Sequence, residues 1–319
     1  MHKKQSVAIV GTRFSSYDIE HQVLDPLDVE IRLGGGNDTA DLLRIAADAT
    51  VVMAGAAPKF DADVIHGLRG KGIVRYGVGT DSIDLSAASQ AGILVANVPD
   101  YGGEAVAIHT IAMILTSIRR LEAAGRAVWS GTWSFAGLRP LHEPRALAAG
   151  VIGYGRIGRL VARHLLDLGF MVMAADPVAA GDANVPLVKL EELLARADVI
   201  TLHAPAREGA EPLLGEHQFG MMRAGATVVN TSRGSLIDTA ALLRALESGR
   251  VGHASLDVYP SEPPALENLS AFRNSLTLTP HMAWYTEESE RDLRTQTASA
   301  ARDILRGDIP PSVVAGRWR

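Results

Sequence analysis

Short apolar runs rich in β-branched residues alternate with longer amphipathic segments along most of the chain. In the first third, the apolar runs predict five buried strands, at Val7–Val10, Val29–Leu33, Thr50–Met53, Ile73–Tyr76 and Ile93–Ala96. The segments between them predict helices at Thr39–Ala47, Ala62–Leu68 and Leu85–Gln90, with Gly67 or Gly70 and Gly92 ending two of them at positive φ. Strands separated by helices are typical of a parallel sheet covered on both faces.

A long apolar helix is predicted next, at Glu104–Leu121, followed by an irregular connection at Trp129–Pro144. We expect Trp129 and Trp133 to pack within this connection. The alternation then resumes, with strands at Ala148–Ile152, Met171–Ala174, Val199–Leu202, Thr227–Asn230, His253–Asp257 and Leu276–Leu278. Helices are predicted at Arg156–Leu168, Leu190–Arg196, Thr239–Ser248 and Glu287–Arg306, the last with no strand of its own. The fold class is therefore α/β, with two doubly wound parallel-sheet domains.

Composition narrows the classes of function. The 319 residues are 47% apolar and 21% charged, carry a formal net charge of -5 and include no cysteine. The absence of cysteine excludes disulfides, thiolate nucleophiles and cysteine-ligated metals, and no metal site is predicted. The mildly acidic balance does not favour a nucleic acid or an acidic membrane as partner. No apolar stretch is long enough for a membrane span, and no signal peptide is evident, so a cytoplasmic protein acting on a small molecule is expected.

A glycine-rich turn carries the clearest chemical signal. Gly153-Tyr-Gly155-Arg-Ile-Gly158 follows a predicted strand and opens a predicted helix, which is the context of a dinucleotide-binding fingerprint. Gly153 permits a tight turn, Gly155 allows close approach of a pyrophosphate, and Gly158 allows the helix to pack closely on the strand. The next strand ends in Asp176, whose carboxylate suits ribose hydroxyls and repels a 2′-phosphate. Since the residues after it, up to Ala183, include no arginine, NAD is favoured over NADP as cofactor.

Three polar residues follow predicted strand ends in the second domain. Arg233, Glu262 and His281 come after Thr227–Asn230, His253–Asp257 and Leu276–Leu278, where open α/β sheets bind ligands. A guanidinium can hold a carboxylate and polarise the adjacent carbonyl. A histidine oriented by a carboxylate can protonate the oxygen as hydride arrives. Each residue alone has a structural explanation, but together they indicate hydride transfer to a 2-oxo acid.

These motifs resemble the D-isomer-specific 2-hydroxyacid dehydrogenase family over roughly residues 45–310. The resemblance also covers the segment from Arg75 to Asp84, and Asn97 to Tyr101. It implies that Arg233 binds and polarises substrate, that His281 is the general acid/base and that Glu262 is its partner. The implied substrate-binding residues are Arg75, Val78, Gly79, Tyr101 and Trp284. The implied cofactor-binding residues are Gly153, Gly155, Arg156, Ile157, Gly158, Asp176, His203, Ala204, Pro205, Thr231, Ser232 and Asp257.

The resemblance also implies a domain arrangement. The substrate domain is discontinuous, comprising residues 1–98 and 285–319 with a flavodoxin-like fold. A Rossmann NAD-binding domain, residues 99–284, is inserted between the two parts. Members of this family usually form homodimers through the cofactor domain, so a homodimer is expected. Ser82 and the segment beginning at His253 depart from the usual family pattern, which puts the substrate fit in doubt more than the chemistry.

Within the family, the segment from Thr279 to Trp284 is most similar to the branch that contains the C-terminal-binding proteins. By that similarity Trp284 contacts the substrate side chain and favours a bulky or apolar 2-oxo acid, whereas core packing is the structural alternative. The leading hypothesis is an NAD-dependent oxidoreductase that interconverts a D-2-hydroxy acid and its 2-oxo acid. The alternatives are an NAD(H)-sensing corepressor-like binding protein and, within the enzymes, a formate- or phosphite-type dehydrogenase.

Overall fold

The computed structural model describes residues 4–12, 14–36, 38–206 and 209–316. The chain divides into two compact units, each with its own sheet. Unit 1 comprises Met1–Gly102 and Thr286–Arg319, and unit 2 comprises Gly103–Tyr285. The described helices include none that is both long and apolar enough to cross a membrane. The cytoplasmic location stays a prediction.

Unit 1 contains a six-stranded sheet in the order β12-β5-β4-β3-β1-β2. Its first strands are β1 (Ser6–Val10), β2 (Glu30–Gly34), β3 (Val51–Ala54), β4 (Gly72–Arg75) and β5 (Leu94–Ala96). These five strands are parallel and follow the flavodoxin-like order, so the predicted fold is confirmed for this part. The helices are α1 (Asp18–Leu24), α2 (Thr39–Ala46), α3 (Ala62–Gly67), α4 (Leu85–Ala91) and α12 (Glu287–Arg306).

Aspartate side chains define where three of these helices begin. Asp38, Asp61 and Asp84 each accept a hydrogen bond from a backbone N–H in the first turn of the helix that follows. Such caps satisfy donors that have no partner within the helix. At the other end of α4, Gly92 adopts a φ of 72°, as predicted. The prediction was wrong for Gly67 and Gly70, because Gly67 is the last residue of α3 and neither glycine has positive φ.

The C-terminal segment was also predicted incompletely. After α12, residues Val313–Ala315 form β12, which pairs antiparallel with β5 at the edge of the sheet. Helix α12 packs on α1, and its Arg294 forms a buried ion pair with Glu20, with 2.7 Å between Nη2 and Oε2. The Tyr76 hydroxyl donates to the same carboxylate at 3.0 Å, and Arg294 lies over the Phe14 ring. This network joins the two sequence-distant parts of unit 1.

Unit 2 contains a second six-stranded parallel sheet, in the order β11-β10-β9-β8-β6-β7. The strands are β6 (Ala148–Ile152), β7 (Met171–Ala175), β8 (Val199–Leu202), β9 (Ala226–Asn230), β10 (Val251–Leu256) and β11 (Leu276–Leu278). Leu187 adds a single parallel bridge to Ala174 on the outer edge of β7. Counting that bridge as a strand position gives the Rossmann order 3-2-1-4-5-6, followed by β11. The predicted fold class is confirmed here too.

Unit 2 has more helices than predicted, because residues 121–129, 216–221 and 266–269 form helices that the sequence did not predict. The helices are α5 (Gly103–Ile118), α6 (Leu121–Trp129), α7 (Arg156–Asp167), α8 (Leu190–Arg196), α9 (Glu216–Met221), α10 (Thr239–Glu247) and α11 (Leu266–Leu269). The predicted helix 104–121 ends at Ile118, because Arg120 adopts a φ of 51° and a new helix begins. The prediction that Trp129 and Trp133 pack within the connection was wrong, since they are 93% and 90% exposed.

Candidate active site

The carboxyl ends of five neighbouring strands in unit 2, β6 and β8 to β11, carry most of the candidate residues. The turn after β6 packs on the turn after β8, since a Cβ on Gly153 would lie 2.6 Å from the carbonyl carbon of His203. The turn after β8 contacts the turn after β9, where the Ser232 hydroxyl donates to the Ala204 carbonyl oxygen at 2.7 Å. The loop after β10 and the loop after β11 are joined by the hydrogen bond between Glu262 and His281. One edge of the sheet therefore holds the glycine turn and all three candidate catalytic residues.

The glycine turn has the spacing that a dinucleotide needs. Gly153 has a φ of 89°, and a Cβ on Gly158 would lie 2.0 Å from the carbonyl oxygen of Gly153. Gly158 is therefore required for the close approach of α7 to the end of β6. Gly155 is different, because a Cβ there would meet no atom within 4 Å. It precedes the first turn of α7, so the open space lies at a helix N-terminus, where backbone N–H groups favour a phosphate.

Asp176 follows β7 and is bound by three backbone N–H groups. Its Oδ1 accepts from Val178 and Ala179 at 2.8 Å, and its Oδ2 accepts from Tyr154 at 2.8 Å. These bonds, with that from Val178 the strongest, lower the pKa of Asp176. The carboxylate is therefore ionised at neutral pH and is fixed beside the glycine turn.

The loop after β9 holds Arg233 through its neighbours. The Asn230 side chain donates to the Arg233 carbonyl oxygen at 2.9 Å and accepts from the Ser232 backbone N–H at 3.0 Å. Gly234 must be glycine, because a Cβ there would lie 1.9 Å from the carbonyl carbon of Tyr259. The Arg233 guanidinium donates to the Ser232 carbonyl oxygen at 2.8 Å. The Asn230 side chain and the close contact at Gly234 therefore fix the backbone on both sides of Arg233.

His281 and Glu262 form the pair that the sequence predicted. Nδ1 of His281 lies 2.8 Å from Oε2 of Glu262, and Oε1 of Glu262 accepts from the Tyr259 backbone N–H at 3.1 Å. Both side chains are exposed, at 48% and 38%. His281 has a φ of 52°, a left-handed conformation that non-glycine residues rarely adopt and that is found at functional sites. The pair leaves Nε2 of His281 as the ring nitrogen that can face a ligand.

Asp257 is enclosed beneath this pair. Its carboxylate is 1% exposed and accepts from the Thr279 hydroxyl at 2.6 Å, the Met282 N–H at 2.9 Å and the Ala283 N–H at 3.0 Å. The Asp257 carbonyl oxygen also accepts from the His281 N–H at 2.8 Å. Asp257 was predicted to line the NAD site. In this structure its carboxylate binds the Thr279 side chain before His281 and the backbone after it.

Helix α5 contributes contacts that sequence reasoning missed. Nε2 of His109 lies 3.2 Å from the Thr279 hydroxyl, which in turn donates to Asp257. The next residue, Thr110, lies 2.8 Å from Thr231 between their hydroxyl oxygens, so the Thr231 hydroxyl faces α5. No sequence motif indicated these two residues. The available signal was a pair of adjacent polar residues in the middle of a mainly apolar helix.

His203 is a neutral histidine in the turn after β8. Burial lowers its pKa to about 3, and Nε2 lies 2.9 Å from the Thr201 hydroxyl. With Ala204 and Pro205 it was predicted to bind the cofactor, and its neutral ring shapes that turn without adding charge.

The predicted substrate loop lies in unit 1, at the carboxyl end of β4. The Arg75 guanidinium donates to the Tyr76 carbonyl oxygen, and a Cβ on Gly77 would lie 3.3 Å from the Tyr101 hydroxyl. The Asn97 side chain donates to the Val78 carbonyl oxygen at 2.7 Å, and Val78 is 43% exposed. The structure thus brings Arg75, Tyr101 and the backbone leading into Val78 and Gly79 together. Trp284 lies in unit 2, half-buried and edge-on to Tyr285 at 5.7 Å between ring centroids.

Comparison with known proteins identifies the family. Residues 111–283 match the model of the D-isomer specific 2-hydroxyacid dehydrogenase NAD binding domain. The chain is 37% identical over 307 residues to D-3-phosphoglycerate dehydrogenase of Archaeoglobus fulgidus, an alignment that covers 94% of this chain and 57% of that protein. The chain belongs to the D-isomer-specific 2-hydroxyacid dehydrogenase family.

Solved structures of D-lactate dehydrogenases are similar to this family member over nearly its whole length. The Aquifex aeolicus enzyme, complexed with NAD and lactic acid, has a TM-score of 0.88 at 28% identity and covers 98% of this chain and 99% of its own. The apo enzyme of Escherichia coli has a TM-score of 0.84 at 30% identity, with 98% and 100% covered. The chain spans only 46% to 57% of the length of the curated relatives named D-3-phosphoglycerate dehydrogenase in Archaeoglobus, Arabidopsis and Methanocaldococcus.

The match to an NAD-binding domain makes NAD the cofactor of this family member. The residues present fit it, because the space beside Gly155 is open and the ionised Asp176 follows the next strand. Nothing in these comparisons supports the corepressor-like alternative. The proposed branch within the family and the formate- or phosphite-type alternative remain untested predictions.

Proposed function

We propose that the protein is an NAD-dependent D-2-hydroxyacid dehydrogenase, which interconverts a D-2-hydroxy acid and its 2-oxo acid. The observation that carries this proposal is the His281–Glu262 pair, 2.8 Å apart, at the same sheet edge as the glycine turn. In this proposal unit 2 binds NAD and unit 1 supplies the substrate loop. The family membership supports the reaction class, and the site geometry supports the roles of the residues.

NAD supplies or accepts the hydride when bound. In the direction of reduction, the carbonyl carbon of the 2-oxo acid receives hydride and Nε2 of His281 gives a proton to the carbonyl oxygen. Glu262 stabilises the protonated imidazole through Nδ1 and fixes which nitrogen faces the substrate. In the opposite direction, His281 takes the hydroxyl proton as hydride leaves the carbon.

Arg233 is the residue proposed to polarise the carbonyl. Its guanidinium can bind the substrate carboxylate with two parallel hydrogen bonds, a geometry that an ammonium group does not offer. In unit 1, the backbone N–H groups of Val78 and Gly79, with Arg75 and Tyr101, are proposed to bind the substrate carboxylate. Trp284 is proposed to contact the substrate side chain and to favour a bulky or apolar acid, since it is only half-buried in unit 2.

A substrate panel tests the reaction. NADH oxidation would be followed by nicotinamide absorbance with glyoxylate, pyruvate, hydroxypyruvate, phenylpyruvate and a 3-phosphorylated 2-oxo acid. His281→Asn is the informative variant, because asparagine tolerates a left-handed backbone and so removes the imidazole without adding strain. We expect it to lower kcat by about 10²- to 10⁴-fold while NADH binding is kept. Arg244→Ala, which removes only a surface ion pair with Glu216, is the matched control.

Arg233→Ala is expected to lose most of kcat/KM and to bind NADH normally, and Arg233→Lys to recover little of the loss. Turnover that survives in His281→Asn with an unchanged pH profile would contradict the acid/base role. Tight NADH binding with no turnover on any acid of the panel would contradict the dehydrogenase proposal and favour a binding protein.

We also propose that the protein is a homodimer. The segment from α6 through Phe135 presents Val128, Trp129, Trp133 and Phe135 to solvent, at 51% to 93% exposure. Exposed apolar patches of this kind mark protein–protein contacts. Light scattering coupled to gel filtration would give the mass, and Trp129→Ser/Trp133→Ser is expected to shift it from dimer to monomer. A monomeric wild-type protein, or an unchanged mass in the double variant, would contradict this proposal.

A further inference from the structure

An arginine lies beside the loop that follows Asp176, although that loop itself contains none. Arg159, on the first turns of α7, donates from Nη2 to the Ala180 carbonyl oxygen at 2.8 Å. Its guanidinium lies 4.3 Å from the ring centroid of Tyr154, the residue between the first two glycines of the turn. The positive charge therefore reaches the part of the site assigned to the adenosine ribose.

Asp182 forms a solvent-exposed ion pair with this arginine. Its Oδ2 lies 3.7 Å from Nη1 of Arg159 and accepts a hydrogen bond from the Tyr154 hydroxyl. Its Oδ1 accepts from the Asn184 and Val185 backbone N–H groups at 3.0 Å. The hydrogen bond from Tyr154, followed by those from the backbone, lowers the pKa of Asp182. Asp182 is therefore ionised at neutral pH and held in place by groups other than the arginine.

One cation interacts electrostatically with both carboxylates of the loop. Arg159 contributes to lowering the pKa of Asp176 as well as that of Asp182. A 2′-phosphate on the adenosine ribose would add nearly two negative charges beside both carboxylates. The same phosphate would find a guanidinium suited to it, if the guanidinium were not already paired.

We propose that Asp182, by pairing with Arg159, is a second determinant that selects NAD over NADP. Asp176 interacts with the ribose hydroxyls, and Asp182 keeps Arg159 from serving as a phosphate partner. This inference rests on the proposed placement of the adenosine ribose at Asp176. The discrimination between NAD and NADP then depends on the carboxylates of Asp176 and Asp182 and on the charge of Arg159.

Direct binding tests the proposal without knowledge of the substrate. Dissociation constants of NADH and NADPH would be measured by nicotinamide fluorescence for the wild-type protein, Asp182→Asn and Asp182→Asn/Arg159→Met. Asparagine keeps the oxygen that accepts from the Asn184 and Val185 N–H groups, and its NH₂ group can donate to the Tyr154 hydroxyl oxygen. Methionine keeps apolar contact with the Tyr154 ring. We expect Asp182→Asn to tighten NADPH binding about tenfold, the effect of one charge-assisted hydrogen bond. NADH binding should change less than about twofold.

The double variant decides the role of Arg159. The gain in NADPH affinity should disappear in Asp182→Asn/Arg159→Met. In Asp182→Asn the gain should shrink as the salt concentration is raised, because the contact between Arg159 and the 2′-phosphate is solvent-exposed. An unchanged NADPH affinity in Asp182→Asn, or a gain that persists in the double variant, would overturn the proposal. Thermal melts would show whether each variant is folded, and Asp182→Ser would serve as a second neutral substitution if asparagine destabilises the loop. A wild-type protein that binds neither cofactor would contradict the cofactor site itself.

Discussion

The enclosed carboxylate of Asp257 offers a test of how the active-site loop is held. Its Oδ1 accepts from the Thr279 hydroxyl and the Met282 N–H, and its Oδ2 accepts from the Ala283 N–H. In Asp257→Asn, one oxygen remains but an NH₂ group replaces the other. If the oxygen keeps the first two donors, the NH₂ group faces the Ala283 N–H, donor against donor. We therefore expect the backbone after His281 to lose one of its two hydrogen bonds to this side chain.

The size of the effect follows from these bonds. Losing one buried charge-assisted hydrogen bond and weakening two others costs about 2–3 kcal/mol. For a unit of this size, each kcal/mol lowers Tm by about 2–4 °C, so a drop of about 5–10 °C is expected. The looser loop no longer holds His281 in its left-handed conformation, so kcat should fall at least about tenfold. NADH affinity would be measured alongside, because Asp257 is also a predicted cofactor-binding residue.

A thermal melt and steady-state kinetics on the best acid of the panel would be run together. Asp198→Asn is the matched control, because Asp198 is also a carboxylate bound to a backbone N–H, that of Ala148, and to an arginine, Arg223. It lies at the amino-terminal edge of the same sheet, so it should lower Tm without lowering kcat. An Asp257→Asn protein with wild-type kcat and a lowered Tm would refute the positioning role.

Three further predictions concern stability and cofactor binding. Glu20→Gln leaves the Arg294 charge buried and should lower the free energy of unfolding in urea by about 3–5 kcal/mol. Glu20→Met/Arg294→Leu should recover most of that loss, and an equal loss in the two variants would refute the pairing. His203 has a pKa of about 3 in the folded protein, against 6.5 ordinarily, so between these values only the unfolded chain binds the proton. Stability should therefore fall by about 1.4 kcal/mol per pH unit as pH drops below 6.5, and a slope unchanged in His203→Gln would contradict this. Gly155→Ala should leave Tm unchanged and weaken NADH binding, while Gly158→Ala should lower Tm. A lowered Tm in Gly155→Ala with an unchanged Tm in Gly158→Ala would contradict the roles given to the two glycines.

Most strands could be located from the sequence to within a residue or two, because buried parallel strands are continuous apolar runs bounded by turns. The exceptions depend on tertiary contacts. The three residues of β12 form a strand only because β5 lies beside them, and Leu187 contributes a single bridge that no local pattern distinguishes from a loop. The helix boundary at Arg120 was missed because arginine gives no local signal for a φ of 51°.

The candidate site followed from the rule that ligands bind at the carboxyl ends of parallel strands, which placed Arg233, Glu262 and His281 together. The supporting contacts did not follow from it. His109 and Thr279 are 170 residues apart in sequence, and His109 belongs to none of the motifs that the sequence showed. Arg159 was missed because the search for an arginine was confined to the loop after Asp176, whereas the side chain reaches that loop from α7.

The way both sheets end has a consequence for the behaviour of the protein at high concentration. Open sheet edges are templates on which other chains can add strands, and proteins avoid this with short, charged or proline-flanked edges. Here β2 carries the Arg32–Glu30 ion pair, and β11 and β12 are only three residues long. Among the described residues, the outer edge of β7 pairs with Leu187 alone, and Leu187 directly follows Pro186. We therefore expect the folded chain to remain dispersed, with self-association confined to the aromatic surface around Trp129 and Trp133.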